Sequence, residues 1–509
     1  MKLKLRNFKG IENLEYEDFK PFTVLSGVNS GGKTSFIHFL LLIKQSIESN
    51  GNQAPLILNK TYSSLGNFKD IIYKKEISKK FGFQITFEKK DREKFKGKNL
   101  DFYFKRWMDV VLKNATIDVD FLYKSKKIYI ERYELTFEFE QDYQPYWIRF
   151  ERVWGCRYRM ETNFGLFDRD NYRYANSLYG TRKRAKKNAD DISELDNLIN
   201  QITTYEGTVS FEKLFPVSIE FKNSDNYSET VVFSPYISIL QRIFLNYFDK
   251  MSYIGPLRDE PRAFYLNTDD ANLKIGNKGE HATYILARES LNTISYHELK
   301  ADYQEGEERY VSKRENLEQA VNYWLCDVFK MAKEVKVKTY KDDKIYEIVI
   351  TNNTNMKTPI SSVGFGVSQI LPIVVEGLSS KTGSTLILEQ PEIHLHPRVQ
   401  SLLFDFLYSL TLSGKSVVVE THSDHLINRL RRRVAEDLNN DMANHIGLIF
   451  FENREEVKHL ILDLNTYGSF EYWPEGFFDQ HDDDLRAIVK AQNKKRRMFR
   501  EGKSKWGTL

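Results

Sequence analysis

A glycine-rich segment near the start of the sequence has the residue types that bind phosphate. Its residues are Gly27, Val28, Asn29, Ser30, Gly31, Gly32, Lys33, Thr34 and Ser35. Glycines let backbone N–H groups approach phosphate oxygens closely, and Lys33 adds a positive charge for the β- and γ-phosphates of a nucleotide. The Thr34 hydroxyl is of the type that holds Mg²⁺. The segment therefore predicts a site for a nucleoside triphosphate and Mg²⁺.

The flanks of this segment favour the same interpretation over a chance glycine turn. Residues 22–25 form an apolar run before it, and residues 36–43 form a longer apolar run after it. The first run predicts a buried strand and the second a buried helix. A phosphate-binding loop needs this strand–loop–helix setting, because the N-terminus of the helix adds partial positive charge at the phosphates.

Two further apolar runs end in carboxylates far along the chain. Residues 385–388 lead into Glu389, Gln390, Pro391 and Glu392, and residues 416–419 lead into Glu420, Thr421 and His422. An apolar strand that ends in a carboxylate is the second metal-binding element of phosphate-loop ATPases. Ahead of both runs lies a glycine-rich turn before an apolar helix, with Gly364, Gly366, Ser368 and Gln369.

These four elements, in this order, resemble the ABC-type ATPase class shared by SMC proteins, RecF and the OLD nucleases. The resemblance covers roughly residues 1–90 and 250–480, and it is closest to stand-alone bacterial ATPases such as PtuA-like subunits of anti-phage defence systems. It implies that residues 29–35 hold ATP and that Thr34 and Glu389 hold Mg²⁺. It also implies that His422 senses the γ-phosphate. Gly364, Gly366, Ser368 and Gln369 resemble a degenerate signature motif, which contacts the nucleotide of an opposing subunit and implies a homodimer or higher homo-oligomer.

One position departs from that class. The residue after the metal-organising acid is usually a glutamate that accepts a proton from the attacking water, whereas this chain has Gln390. An amide orients water but accepts no proton, and positioned proton transfer contributes about 10²–10⁴ in rate. Either Glu392 serves as the base, or hydrolysis is slow and the ATP state persists. We favour slow turnover.

A metal centre is the alternative interpretation of the same stretch. Its candidate ligands are His394, His396, His422, Asp424 and His425. Imidazoles and a carboxylate suit zinc or another transition metal. The histidines fall where the ATPase class has a turn and a switch residue, so the sequence favours the ATPase.

Composition predicts a globular cytoplasmic protein. The chain has 509 residues, of which 41% are hydrophobic, and its two cysteines are too few for a disulfide framework. A short strand near Leu3 leaves no room for a signal peptide, and no apolar run reaches the ~20 residues that span a bilayer. The net charge of +4 does not identify a partner. Basic runs at residues 182–187, 429–433 and 494–497 suit DNA or RNA, although most such runs are solvated surfaces.

The pattern between the two halves of the site predicts a β-rich insertion. Residues 115–121, 127–131, 134–140 and 147–153 alternate apolar and polar side chains, while residues 168–191 are polar and predict a loop. Helices are expected at residues 192–202 and 234–248. Apolar heptads are missing from the sequence, so we expect an α/β protein without a long coiled coil. The expected parts are an ATPase lobe at residues 1–90 and 231–470, an insertion for partner or target recognition at residues 91–230, and a tail at residues 471–509.

The sequence leaves three functions open. The first is a switch-like ATPase that controls a separate effector nuclease in anti-phage defence, since we find no nuclease domain after the ATPase part. The second is a DNA-repair or chromosome-maintenance ATPase that acts directly on DNA. The third and least favoured is the ATPase subunit of a transporter. Arg258 and Arg262 follow a predicted strand, and they suit a phosphate contact, an inter-subunit contact or a structural salt bridge.

Overall fold

Two large sheets, one mostly parallel and one antiparallel, form the frame of the protein. The computed structural model describes residues 1–28, 31–49, 54–88, 112–140, 145–163, 203–222, 228–232, 235–266, 274–300, 304, 307–340, 345–453, 457–474 and 480–500. The helices are α1 (Lys33–Ile47), α2 (Phe68–Ile71), α3 (Pro235–Asp249), α4 (Ala282–Glu289), α5 (Leu317–Asn322), α6 (Phe365–Ser379), α7 (Pro397–Leu412), α8 (Asp424–Ala435) and α9 (Gln480–Arg500). Helix α5 continues into a π-helical turn, Tyr323–Val328.

The six-stranded sheet carries the glycine-rich segment. Its strands, from one edge to the other, are β12 (Met251–Ile254), β19 (Thr385–Glu389), β20 (Ser416–Glu420), β3 (Phe22–Gly27), β21 (Ile446–Asn453) and β22 (Val457–Ile461). All neighbouring pairs are parallel except β21 and β22. The carboxyl ends of β3, β19 and β20 therefore lie at one edge of the sheet, where ligands of open α/β sheets bind.

Helices cover both faces of this sheet. Alternate side chains of the strands, among them Leu25 and Ile387, face a core shared with α1 and α3. The side chains between them, among them Val24 and Leu388, face a second core shared with α6, α7 and α8. Burial on both faces explains why these strands are almost wholly apolar runs. This arrangement confirms the predicted α/β fold.

The antiparallel sheet has ten strands and includes the predicted insertion. In spatial order its strands are β11 (Ser228–Val232), β10 (Phe215–Lys222), β9 (Thr203–Glu212), β8 (Arg157–Thr162), β7 (Tyr146–Trp154), β6 (Lys127–Phe139), β5 (Leu112–Lys124), β4 (Phe81–Glu88), β1 (Lys2–Phe8) and β2 (Ile11–Tyr16). The strands of the insertion thus extend a sheet that the N-terminal strands begin. The predicted strands at residues 115–121 and 147–153 lie in β5 and β7. The segments at 127–131 and 134–140, predicted separately, form the single strand β6, which ends at Phe139.

The two faces of this sheet have different chemistry. One face buries aromatic rings such as Phe83 and Phe121 against the core that contains α1. The other face carries ion pairs between neighbouring strands, for example Arg132 Nη1 of β6 to Asp118 of β5 at 3.1 Å and Arg149 Nε of β7 to Glu134 of β6 at 2.6 Å. Opposite charges on adjacent strands stabilise a sheet modestly. The alternation of apolar and charged residues thus follows from one buried and one solvated face.

Smaller elements complete the described structure. A four-stranded sheet contains β13 (Tyr265–Leu266), β16 (Glu334–Tyr340), β17 (Ile345–Thr351) and β18 (Lys357–Pro359), and a hairpin contains β14 (Thr293–Leu299) and β15 (Tyr310–Asn316). The predicted helix at residues 234–248 is confirmed as α3. The predicted loop at residues 168–191 and helix at residues 192–202 lie outside the described residues. Among the described helices the longest is α9, with 21 residues, and none is both long and apolar enough to cross a bilayer.

Candidate nucleotide and metal site

The phosphate loop connects the end of β3 to the start of α1. Gly27 and Gly32 have positive φ angles of 133° and 105°, which only glycine adopts readily. A Cβ at Gly27 would lie 2.1 Å from the Phe451 carbonyl oxygen, and one at Gly31 would lie 2.9 Å from the same atom. Strand β21 therefore presses against the loop and excludes side chains there. Asn29 and Ser30, also predicted to bind the triphosphate, lie outside the described residues.

Lys33 points back into this loop. It is 3% exposed, and its Nζ donates to the carbonyl oxygens of Gly27 and Val28 at 2.9 and 2.8 Å. Burial lowers the pKa of the lysine, and the nearby Glu420 carboxylate partly opposes this. The ammonium group is thus held at the centre of the loop, where the phosphates of a nucleotide would lie.

Thr34, at the start of α1, contacts the Glu420 carboxylate, for which the sequence predicted no role. Its Oγ1 donates to both oxygens of Glu420, at 3.3 and 3.2 Å. Glu420 ends β20 and pairs in register with Glu389 at the end of β19. A second carboxylate, Glu420, therefore lies beside both predicted metal residues, Thr34 and Glu389. Its signal in the sequence was an apolar strand ending in glutamate, the same signal that identified Glu389.

Glu389 is buried, with 7% of its surface exposed. Burial raises its pKa to about 7, and the neighbouring Glu420 carboxylate contributes to the rise. Tyr253 forms a side-chain hydrogen bond with it, and Lys9 lies close enough to stabilise its ionised form. Its Oε1 is buried and has no hydrogen-bond partner among the described residues. A buried, unsatisfied carboxylate oxygen is a suitable ligand for a cation.

Glu392 connects the turn after β19 to the segment after β20. Its Oε1 accepts a hydrogen bond of 2.7 Å from the backbone N–H of His422, and its side chain also bonds to Thr421. Its Oε2 is buried and has no partner among the described residues. Burial raises the pKa of this carboxyl. Burial also lowers the pKa of the His422 imidazole, and the nearby Lys33 charge lowers it further.

Gln390 adopts a backbone conformation that is rare for residues other than glycine. Its φ is 43°, and its N–H donates to the Glu420 carbonyl oxygen at 2.8 Å. Its own carbonyl oxygen accepts from Arg258 Nη1 at 3.2 Å, and Arg258 Nη2 donates to the Glu389 carbonyl oxygen at 3.4 Å. Arg258, 7% exposed, therefore fixes the turn that carries both residues. Strained backbone of this kind is common at functional sites.

The predicted signature segment forms the start of α6. Gly364 is exposed, and Phe365, the first residue of the helix, is 68% exposed. No side chain caps the helix at Gly364. Ser368 and Gln369 are buried instead, and the Ser368 Oγ donates to the Phe365 carbonyl oxygen at 2.9 Å. A Cβ on Gly366 would lie 3.0 Å from the Met331 side chain and 3.8 Å from the His394 carbonyl oxygen.

The candidate ligands of the alternative metal centre have separate surroundings. His396 Nδ1 caps α7 by accepting from the Arg398 N–H at 3.2 Å. The His394 ring lies 6.1 Å from the Phe365 ring, and His425 Nε2 lies 3.7 Å from its neighbour Asp424. In the part of the chain that the structure describes, no three His, Cys, Asp or Glu side chains form a metal-binding group by themselves.

The residues present fit ATP with Mg²⁺. The phosphate loop would supply open backbone and the Lys33 ammonium, and Thr34, Glu389 and Glu420 would supply oxygen ligands for the metal. A Mg²⁺ ion in such sites takes one or two protein carboxylates and completes its shell with phosphates and water. That explains why these protein groups alone do not enclose a cation.

Two family models match parts of this chain. The family model described as an AAA ATPase domain matches residues 1–427, and a protein family of unknown function, DUF3696, matches residues 442–488. Among curated proteins, none matches the chain. Since the family match spans most of the sequence, the chain belongs to the AAA ATPase domain family, which confirms the predicted class; the PtuA-like assignment stays a prediction.

Solved structures of SMC head domains are similar in outline. One is an SMC head bound to the C-terminal winged-helix domain of ScpA, with 11% identity, 91% of this chain and 97% of that chain covered, and a TM-score of 0.37. The SMC head domain from Thermotoga maritima has 9% identity, 91% and 98% coverage, and a TM-score of 0.35. An SMC head from Pyrococcus furiosus, bound to the C-terminal domain of ScpA, has 10% identity, 96% and 98% coverage, and a TM-score of 0.36. At these scores the similarity adds nothing to the functional argument.

Proposed function

We propose that this protein is a slowly hydrolysing ATPase whose ATP-bound state acts as a switch. The observation that supports this most directly is the combination of the phosphate loop around Lys33 with Gln390 in place of the usual base. The amide cannot accept a proton from water, so we expect the site to bind ATP and to hydrolyse it slowly.

In this proposal Thr34, Glu389 and Glu420 hold Mg²⁺, and the metal neutralises charge on the phosphates when bound. Lys33 binds the phosphates, and His422 stands beside Lys33, where it can sense them. Among the described residues of the site, Glu392 is the candidate for a base, because its Oε2 is buried and has no hydrogen-bond partner there. Its other oxygen accepts a hydrogen bond from the His422 N–H, so we expect a movement of the backbone at His422 to move the Glu392 carboxylate.

We also propose that ATP brings two copies together through the start of α6. The exposed Gly364 and Phe365 and the uncapped helix end support a contact with a second subunit there. Ser368 and Gln369 are buried, so in this proposal they support the helix, and the contact itself falls to residues 364 and 365. An uncapped helix N-terminus offers N–H groups to an anion such as a γ-phosphate.

The output of the switch is proposed to be a separate effector nuclease in bacterial anti-phage defence. The sequence resemblance to PtuA-like subunits supports this, and the charged face of the antiparallel sheet offers a surface for a partner. Direct action on DNA is the alternative. Affinity purification with the products of neighbouring genes distinguishes them: a co-purifying nuclease favours effector control, whereas duplex DNA binding without a protein partner favours the alternative.

Light scattering of the purified protein tests the switch itself. We expect the molar mass to double on addition of ATP and Mg²⁺, and we expect Lys33→Ala to abolish the change. Phe365→Glu should block association while leaving ATP binding intact, because the side chain is exposed. Tyr467→Glu is the matched control, since Tyr467 is 83% exposed on another surface. A wild-type protein that keeps one mass with and without ATP would contradict the proposal.

A further inference from the structure

A groove with mostly basic walls lies outside the ATP site. It has a volume of about 640 Å³ and lies between the β14–β15 hairpin, the π-helical turn, α7 and α8. Its positively charged lining residues, which together define the basic groove, are Lys300, Arg309, Lys330, Arg398, Arg429 and Arg433. Asp327 is the one acidic residue among the described residues that line it.

One wall of the basic groove holds two guanidinium groups on a single buried carboxylate. Asp405 is fully buried, and it accepts from Arg429 Nε at 2.8 Å and from Arg433 Nε at 2.6 Å. The Tyr310 hydroxyl donates to the same carboxylate at 3.0 Å. Burial lowers the pKa of Arg429, and the adjacent Arg433 charge lowers it further. One negative charge therefore faces two positive charges in this wall.

A second carboxylate, Glu436, is not enough to neutralise the remaining positive charge. Glu436 is shared by Arg309 at 2.9 Å, Arg432 at 2.7 Å and Arg433 at 2.7 Å. Asp405 and Glu436 thus form ion pairs with four arginines, which are Arg309, Arg429, Arg432 and Arg433. The arginine run of α8, which the sequence offered as a solvated surface or a phosphate contact, is largely committed to these two carboxylates. Lys300 is likewise paired with Glu307. The six cations of the basic groove thus have four neighbouring carboxylates, Glu307, Asp327, Asp405 and Glu436, and the groove keeps a net positive charge.

The rim of the basic groove has further cations. Lys330 and Arg398 are exposed, and neither forms an ion pair with a described residue. Leu299, Val328 and Leu402 also line the groove and give it an apolar surface. A volume of this size is within the range of small-ligand sites, roughly 300–1,000 Å³. The groove therefore combines anion-binding groups with an apolar patch.

We propose that the basic groove binds a phosphoryl-bearing ligand of nucleotide size. The exposed guanidinium of Arg398 can bind phosphate oxygens through paired N–H donors, and Lys330 adds a second charge at the rim. The three nitrogens of Arg433 are already hydrogen-bonded to Asp405 and Glu436, so that residue contributes charge and no free nitrogen. The apolar surface suits a sugar or base attached to the phosphate. The phosphoryl group belongs either to a free phosphorylated molecule or to a nucleic-acid strand, and both present the same oxygens. The proposal is independent of ATP turnover at the phosphate loop.

Binding measurements in a Lys33→Ala background test the proposal, because that change removes phosphate binding at the loop. The probes are a fluorescein-labelled single-stranded DNA 12-mer, followed by anisotropy, and tripolyphosphate, followed by calorimetry. The test variants are Lys330→Glu/Arg398→Glu and the milder Lys330→Ala/Arg398→Ala. The control is Lys124→Glu/Lys126→Glu, which reverses two exposed charges at the β5–β6 turn. Circular dichroism checks that each variant is folded.

We expect the glutamate variant to weaken binding of at least one probe about tenfold or more, the alanine variant to weaken it less, and the control to leave it unchanged. Loss of DNA binding identifies a nucleic-acid strand as the source of the phosphoryl group. Loss of tripolyphosphate binding, where the parent protein does not bind DNA, identifies a free phosphorylated molecule. The proposal is overturned if neither probe binds the parent protein, if both variants bind as the parent does, or if the control loses as much affinity as the variants.

Discussion

Replacing Glu389 with glutamine should stabilise the nucleotide-free protein while it weakens Mg²⁺-dependent ATP binding. Burial beside Glu420 raises the Glu389 pKa from its ordinary 4.5 to about 7. The folded protein therefore keeps this proton to a higher pH than the unfolded chain does. Its contribution to the free energy of unfolding falls as the pH rises from about 4.5 to about 7, and it stays low above that. Glutamine removes this cost, because it carries no charge and still accepts from Tyr253.

The size of the effect follows from the pKa difference. At pH 8 this rise in pKa lowers the free energy of unfolding by roughly 3 kcal/mol. For a cooperative transition of a chain this long, about 1 kcal/mol changes Tm by about 1 °C, so we expect Glu389→Gln to raise Tm by about 3 °C. The difference should shrink as the pH approaches 5. Without ATP, calorimetric scans at pH 5 and pH 8 measure both values.

A matched substitution separates the buried carboxylate from glutamate replacement in general. Glu15 is exposed and pairs with Lys4 across β1 and β2 at 3.2 Å, so Glu15→Gln should change Tm little at either pH. With ATP and Mg²⁺ present, Glu389→Gln should lose the ligand-induced rise in Tm that the wild-type protein shows. If Glu389→Gln lowers Tm at pH 8, as the loss of a favourable buried contact would, the electrostatic reasoning is refuted.

Three further predictions concern the phosphate loop and the base. Lys33→Ala should abolish ATP binding by calorimetry, because the lysine meets the densest charge on the triphosphate; micromolar affinity in the variant would contradict the site. Gln390→Glu should raise steady-state turnover if hydrolysis lacks a base, whereas Glu392→Gln should eliminate turnover if Glu392 is the base, and colorimetric phosphate release distinguishes these outcomes. Gly27→Ala should destabilise the protein by roughly 1–3 kcal/mol and impair ATP binding, because its Cβ would meet the Phe451 carbonyl oxygen at a positive φ. Gly364→Ala has open space around its Cβ and should leave Tm unchanged; an equal loss from both substitutions would contradict this account of the loop.

The parts of the site that the sequence predicted are those with local signals. Gly27 and Lys33 stand at fixed spacing between a strand and a helix, and the structure confirms β3 and α1 around them. The strand that ends at Glu389 was predictable because burial on both faces demands an apolar run. Local patterns of this kind need no knowledge of distant contacts.

Contacts between distant segments were beyond such reasoning. The hydrogen bonds from Thr34 to Glu420 form because β20 lies beside β3. The pattern of a single segment does not predict which strand is its neighbour. The burial of Ser368 depends on how α6 packs against its neighbours. The continuity of the insertion with the N-terminal sheet depends on the pairing of β4 with β5 across residues 89–111, which lie outside the described part of the chain.

Steady-state hydrolysis by the wild-type protein tests the central claim most directly. With a median enzyme turnover of about 10 s⁻¹ and a loss of about 10²–10⁴ for a missing base, we expect about 10⁻³–10⁻¹ s⁻¹. We also expect stoichiometric ATP in the protein after purification with Mg²⁺, quantified by chromatography of the released nucleotide. Turnover well above 1 s⁻¹ that survives Glu392→Gln, or a wild-type protein that binds no ATP, would contradict the account.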